Sequence, residues 1–203
     1  MNKGIWIAAV ALGAIATAAD ADGAAIGWNA SMGAGLSSPL SASGQDASWP
    51  ENSLSSRAEL GLSFGRGLHL GAEAGYDRLG SFGSTLVAPL SSGSLPTETL
   101  SALHAAGVVR FERRRGAIRP FIAGGAGWYT LRDQTKNIAI PFERMFAPLD
   151  RTRVETGPGY NLGAGLELGN SRWAPRLDAR WHSAHTGEMS ADWLSVTAGL
   201  AWR

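Results

Sequence analysis

The sequence predicts an all-β protein, an eight-stranded antiparallel transmembrane β-barrel with short periplasmic turns and long extracellular loops. Three observations carry that expectation. Apolar and polar residues alternate in twos through eight segments of the 203-residue chain, which is the period of a strand whose two faces meet different surroundings. The connections between those segments are alternately long and tight. Charged residues make up only 17% of the chain, beside 27 glycines and 8 tryptophans, whereas soluble domains carry about 25% charge.

Residues 1–21 read as a secretory signal peptide and residues 22–203 as the barrel. Lys3 supplies the positive start, "IWIAAVALGAIATAA" the apolar run, and "ADA" ending at Ala21 the small-residue cleavage site. No later stretch reaches 18 apolar residues, so membrane crossing by the mature chain falls to strands. The absence of cysteine excludes disulfides and thiolate metal sites. A formal charge of +1 offers nothing to a nucleic-acid partner.

The first segment, 24–36, sets Trp28, Met32 and Leu36 on one parity and Asn29 and Ser31 on the other. Segments 57–65 and 67–78, joined by "GRG", set Leu60, Leu62, Phe64, Leu68, Leu70 and Tyr76 against Glu59, Ser63, His69, Glu73 and Asp77. The fourth, 98–112, sets Leu103, Val109 and Phe111 against His104, Arg110 and Glu112, and "ERRRG" leads into the fifth, 117–131. The sixth, 157–168, opposes Leu166 to Asn161 and Glu167, and "GNSR" leads into the seventh, 173–184. That segment carries Leu177 and Trp181 against Arg176, Asp178, Arg180 and His182. The eighth, 192–203, carries Leu194, Val196, Leu200 and Trp202 against Ser195 and Thr197. Pro120 and Pro175 lie near strand starts, where a missing N–H is tolerable. Long or polar connections are expected at 37–56, 79–97, 132–156 and 185–191. An even strand number places both termini on the tight-turn side.

A soluble barrel would bury the apolar set. Eight strands enclose a lumen that ordinary side chains just fill, and this much Leu, Phe and Trp would overfill it. The apolar set is therefore assigned to lipid, with Trp and Tyr as an interfacial girdle, and the polar set to the lumen. The glycine-rich stretches "AGGAG" and "GAGLELG" are poor strand formers and are expected to admit large side chains from the opposite wall. Buried charges persist when paired, so a structural lumen network is expected among Glu59, Glu73, Asp77, Arg110, Glu112, Glu167, Arg176, Asp178 and Arg180. An ion pathway is the alternative use of the same charges.

The strand "RPFIAGGAGWY", the hairpin "GAGLELG" to "RLDARW" and the terminal "VTAGLAWR" resemble the porin-family outer-membrane β-barrel domain, the group that includes the OmpA transmembrane domain and OmpX. The resemblance covers the mature chain. It implies the outer membrane of a Gram-negative bacterium, contact with the lipid bilayer and lipopolysaccharide, and insertion by the barrel-assembly machinery. The family's C-terminal assembly signal is similar to Gly199 with Trp202 here, followed by Arg203. No peptidoglycan-binding domain of the kind OmpA-like proteins append is expected.

Such barrels carry no catalytic motif, so chemistry must come from clusters. "WHSAHTGE", with His182, Ser183, His185 and Glu188, resembles the His, Ser and Glu set of outer-membrane lipid A deacylases. Adjacent strand residues point to opposite faces, which separates His182 from Ser183. His69 and His104, with Glu73 as third ligand, are the metal candidates, against the simpler reading of satisfied interior histidines. No catalytic, metal or cofactor residues are therefore expected. Ile138, Ile140, Phe142, Met145 and Phe146 in the 132–156 loop either mark an interaction surface or fold over the barrel mouth. The expected role is non-enzymatic and structural, with surface interaction through loops 37–56, 79–97 and 132–156. A deacylase-like enzyme and a small-solute pore are the alternatives.

Overall fold

The computed structural model describes residues 26–42, 53–65, 67–83, 97–113, 116–136, 151–169 and 171–203. Its strands are β1 (Gly27–Ala42), β2 (Leu54–Phe64), β3 (Leu68–Gly83), β4 (Thr97–Glu112), β5 (Ile118–Lys136), β6 (Arg151–Leu168), β7 (Trp173–Thr186) and β8 (Met189–Trp202). Each pairs antiparallel with the next, and β1 pairs with β8 from Ala30↔Trp202 to Ala42↔Ala191. The sheet closes on itself, so every strand has a partner on each side. Beyond the shared span, among the described residues, 151–158 of β6 pair with β5 alone and 36–42 of β1 with β8 alone.

The two faces invert the pattern of a soluble protein. Trp28, Met32, Leu60, Leu103, Ile122, Trp128, Leu162 and Leu177 are exposed on the outer wall. Arg110, Glu73, Asp77, Glu167, Asp178, Arg180 and His182 are buried inside. Leucines turned outward around charged residues are stable only where the outer solvent is hydrocarbon. Tyr160 and Trp181 meet edge to face at 5.4 Å on that wall.

The strands run further than the alternation indicated. β5 has 19 residues and β6 has 18, while about 9 to 11 suffice to cross a bilayer. The surplus lies at the long-connection end, in polar stretches such as "RDQTK" and "RTRVETG". Both faces of a strand are wet there, so hydrophobic alternation fades although the hydrogen-bond ladder continues. The connections 37–56, 79–97 and 132–156 shrink accordingly to 43–53, 84–96 and 137–150. The expected connection 185–191 is corrected outright: Thr186 pairs with Met189, leaving a two-residue turn with Gly187 at φ 73°. That is the left-handed geometry tight hairpins require. The signal peptide and the five apolar residues between Ile138 and Phe146 lie outside the described residues.

Glycines do make room in the lumen, but for the neighbouring strand and not for the opposite wall. Gly75 faces His104, Gly165 faces Phe121 and Gly163 faces Arg180 as direct cross-strand partners. A Cβ at each would come within 2.4, 2.3 and 2.6 Å of those side chains. The large residue lies flat over its glycine partner and reaches inward. At the long-connection end the lumen is closed by a buried apolar cluster of Leu79, Leu100, Ala102, Tyr129, Leu131 and Trp193.

Candidate functional site

Below that apolar plug the lumen is a continuous column of ion pairs. At the tight-turn end Arg119 reaches Glu112 at 3.5 Å, His69 reaches the same carboxylate at 3.1 Å, and Arg110 reaches Glu167 at 3.1 Å. One layer up, Arg176 bridges Glu59 at 3.1 Å and Asp178 at 2.7 Å. Phe121 lies beneath two guanidiniums, those of Arg176 at 4.5 Å and Arg110 at 5.5 Å from its ring centre. Higher again, Arg180 pairs with Glu73 at 2.5 Å, and Arg57 joins Glu73 at 3.6 Å to Asp178 at 3.3 Å.

All nine residues of the charge set read from the sequence face the lumen, and three arginines join them. Arg57 shares the parity of Glu59 and Arg119 that of Phe121, so extending the same alternation would have found both. Arg203 turns in beneath the barrel to Glu112 at 3.2 Å and to Glu167, a contact that no periodicity encodes. Among the described residues five of the six carboxylates then meet six guanidiniums, and the sixth, Asp77, meets His104. In a low-dielectric interior, a partner left over would be strongly destabilising.

The histidines separate into different layers. His69 sits with Glu112, Arg110 and Asn29. His104 sits with Glu73 at 3.3 Å and Asp77 at 3.7 Å. The trio of His69, His104 and Glu73 is therefore not assembled. His182 and Ser183 are neighbours with no hydrogen bond between their side chains among the described residues. The hydroxyl that meets His182 is Ser195 on β8, 3.1 Å from Nε2, with Arg57 Nη2 donating to the same hydroxyl at 2.7 Å. The pair is fully buried, and Tyr129, not a carboxylate, stands at His182 Nδ1, 3.4 Å away. Glu188 lies at the barrel rim with Arg153, and His185 is exposed on β7, so the four residues of "WHSAHTGE" do not converge.

At the C-terminal end Gly199 pairs with Gly33, and a Cβ at residue 199 would lie 1.9 Å from the Met32 carbonyl oxygen. Trp202 pairs with Ala30 and Trp173, and the Arg172 guanidinium covers its ring at 4.9 Å.

A closed eight-stranded barrel with an aliphatic outer wall and a charged, filled interior is a transmembrane β-barrel. The chain belongs to the family described as the outer membrane protein β-barrel domain, whose model matches residues 7–203, and it is an outer-membrane protein. Among solved structures it is similar to Ail, the attachment invasion locus protein of Yersinia pestis, crystallised with the heparin analogue sucrose octasulfate. That likeness has a TM-score of 0.55 at 12% identity and covers 86% of this chain and 97% of Ail. It is also similar to Neisserial surface protein A, with a TM-score of 0.50 at 15% identity over 89% of this chain and 99% of that one. Comparison with curated proteins returns no match.

Proposed function

We propose that this protein is a non-enzymatic surface protein of a Gram-negative outer membrane, in which a rigid barrel displays extracellular strand ends and loops to a partner. The observation that carries this reading is the contrast between a filled lumen and strands that outrun the bilayer. Among the described residues, ion pairs and an apolar plug fill the lumen, which speaks against a pore, and the His182 and Ser195 pair is buried away from any substrate. Binding capacity therefore resides in the projecting ends of β1 to β6 and in connections 43–53, 84–96 and 137–150. Ail and Neisserial surface protein A carry names that describe surface roles; at 12% and 15% identity they lend the fold and not a ligand.

The same reading includes cleavage after Ala21, with Asp22 as the mature start, and insertion by the barrel-assembly machinery reading Gly199 and Trp202. It also includes lipopolysaccharide around the outer half of the wall. The nine-residue charge set together with Arg57, Arg119 and Arg203 acts structurally, holding the lumen shut.

Three measurements on one strain test the role. Overexpression is expected to leave lipid A mass unchanged, and purified protein in planar bilayers to give no large channel steps. Replacing 137–150 by a short Gly/Ser linker is expected to abolish adhesion to the recognised surface without loss of heat-modifiable folding. A lipid A mass shift that disappears in His182→Ala would establish the enzyme instead, and reproducible large conductance would establish the pore.

A further inference from the structure

Asp77 is the exception in the lumen. Glu59, Glu73, Glu112, Glu167 and Asp178 each have an arginine within 4.0 Å. Asp77, fully buried on β3, has none among the described residues. Its ion-pair partner is His104, whose Nδ1 stands 3.7 Å from Asp77 Oδ2. Neither Asp77 oxygen nor His104 Nδ1 has a hydrogen bond of good geometry, although Ser55 and Trp193 lie beside the carboxylate. Three unspent lone-pair sites thus face one another in a sealed interior, where an unsatisfied polar group is costly.

His182 completes the group. One ring nitrogen of each histidine and one Asp77 oxygen lie within 4.8 Å of one another. The rings are held from behind, His104 stacked on Tyr129 at 5.1 Å and His182 on Trp193 at 4.9 Å with planes 4° apart. We propose that Asp77, His104 and His182 form a binding site for one divalent first-row transition-metal ion of the zinc type.

Two imidazoles and one carboxylate are a donor set that such ions accept, and the carboxylate supplies charge that no arginine among the described residues pairs with. His104 also has the backing characteristic of a metal ligand: its far nitrogen, Nε2, stands 3.3 Å from Glu73 Oε1, and a carboxylate there orients the ring and raises its basicity. The nitrogen of His182 that does not bind the ion finds Ser195 or Tyr129. Donors around zinc sit ~3.4 Å apart for bonds of about 2.1 Å, so coordination draws the three groups together by small ring rotations. Arg57 Nη2, 3.3 Å from His182 Nε2, opposes the ion. It retains Ser195 and Asp178 when His182 turns away. With the apolar plug above, the ion enters as the barrel closes.

The test uses untagged protein carrying His185→Gln to remove the exposed imidazole. It is extracted folded from membranes, and separately refolded in detergent with Co²⁺ or Zn²⁺, then passed through chelating buffer. Elemental analysis is expected to find about one ion per folded chain. Asp77→Asn and His104→Gln should each lower occupancy tenfold or more. Glu73→Gln should weaken affinity ~10- to 100-fold, and His69→Gln should leave it unchanged. Heat-modifiable migration shows which variants are folded, and occupancy is compared among those alone. Nitrogen hyperfine coupling from two imidazoles to bound Cu²⁺ in the parent protein supports the site even where a variant does not fold. Folded parent protein without stoichiometric metal by either route overturns the proposal, as does a folded His104→Gln/His182→Gln barrel that binds as much as the parent.

Discussion

The imidazole of His104 lies over the bare Cα of Gly75, its direct partner across β3 and β4: a Cβ at residue 75 would stand 2.4 Å from His104 Cε1. The nearest backbone atom to that position, the Ser56 carbonyl oxygen, is 3.0 Å away, so the side chain sets the limit. Gly75→Ala is expected to destabilise the folded barrel by about 1–3 kcal/mol, the usual penalty of overpacking. In a His104→Ala background the same substitution should cost less. Urea unfolding in lipid vesicles measures both, and equal costs in the two backgrounds would refute the contact.

Leu177 and Asp178 are adjacent in β7, one half exposed at 50% and the other buried at 2%. Leu177→Arg should therefore destabilise by roughly 2–4 kcal/mol, the penalty for a basic residue on the lipid face near mid-bilayer. A fluorophore on a single cysteine at 177 should be quenched by acyl-chain quenchers and one at 178 should not. Equal quenching at both positions is incompatible with the assigned faces.

Arg180 pairs with Glu73, and each is fully buried or nearly so. Arg180→Met leaves Glu73 with Arg57, His104 and the amide of Asn161 and is expected to cost about 3–5 kcal/mol. Adding Glu73→Gln removes the stranded charge and should recover part of that loss. A double variant no more stable than the single one would show that the two residues are not energetically coupled.

Above the aromatic girdle, Glu155 at the wet end of β6 clamps the β7–β8 turn. It accepts hydrogen bonds from the backbone amides of Glu188 and Met189 and from Arg153. Partial desolvation pushes the Glu155 carboxyl up. The Met189 amide, Arg153 and the Glu188 amide outweigh it and hold the carboxyl below its ordinary range. A depressed carboxylate stabilises the fold above its unfolded-state pKa, and that contribution is lost as pH falls through the folded value. Hydrogen exchange of the Glu188 and Met189 amides should therefore accelerate, after correction for intrinsic rates, in acid below the usual carboxylate range. Glu155→Gln should abolish that acid-dependent step, and its persistence would place the cause elsewhere.

Much of this architecture was legible because a strand's two faces are written locally, two residues at a time. Alternation alone separated Leu177 from Asp178 and Trp181 from His182, counted eight strands, and marked "GRG", "ERRRG" and "GNSR" as turns. It gathered the six acids and half of the lumen arginines to the same side of their strands, and a low charged fraction with outward leucines identified that side as the interior. Where strands stand in water on both faces the signal disappears, which is why β5 and β6 were read too short and the Gly187–Glu188 turn was read as a loop. Contacts across the lumen were beyond such a reading. The meeting of His182 with Ser195, the turn of Arg203 back to Glu167, and the pairing of Asp77 with His104 and not with an arginine among the described residues depend on the register in which eight strands close. Closure is a property of the whole sheet, so a periodic pattern could name the residues that face inward but not the partners they meet.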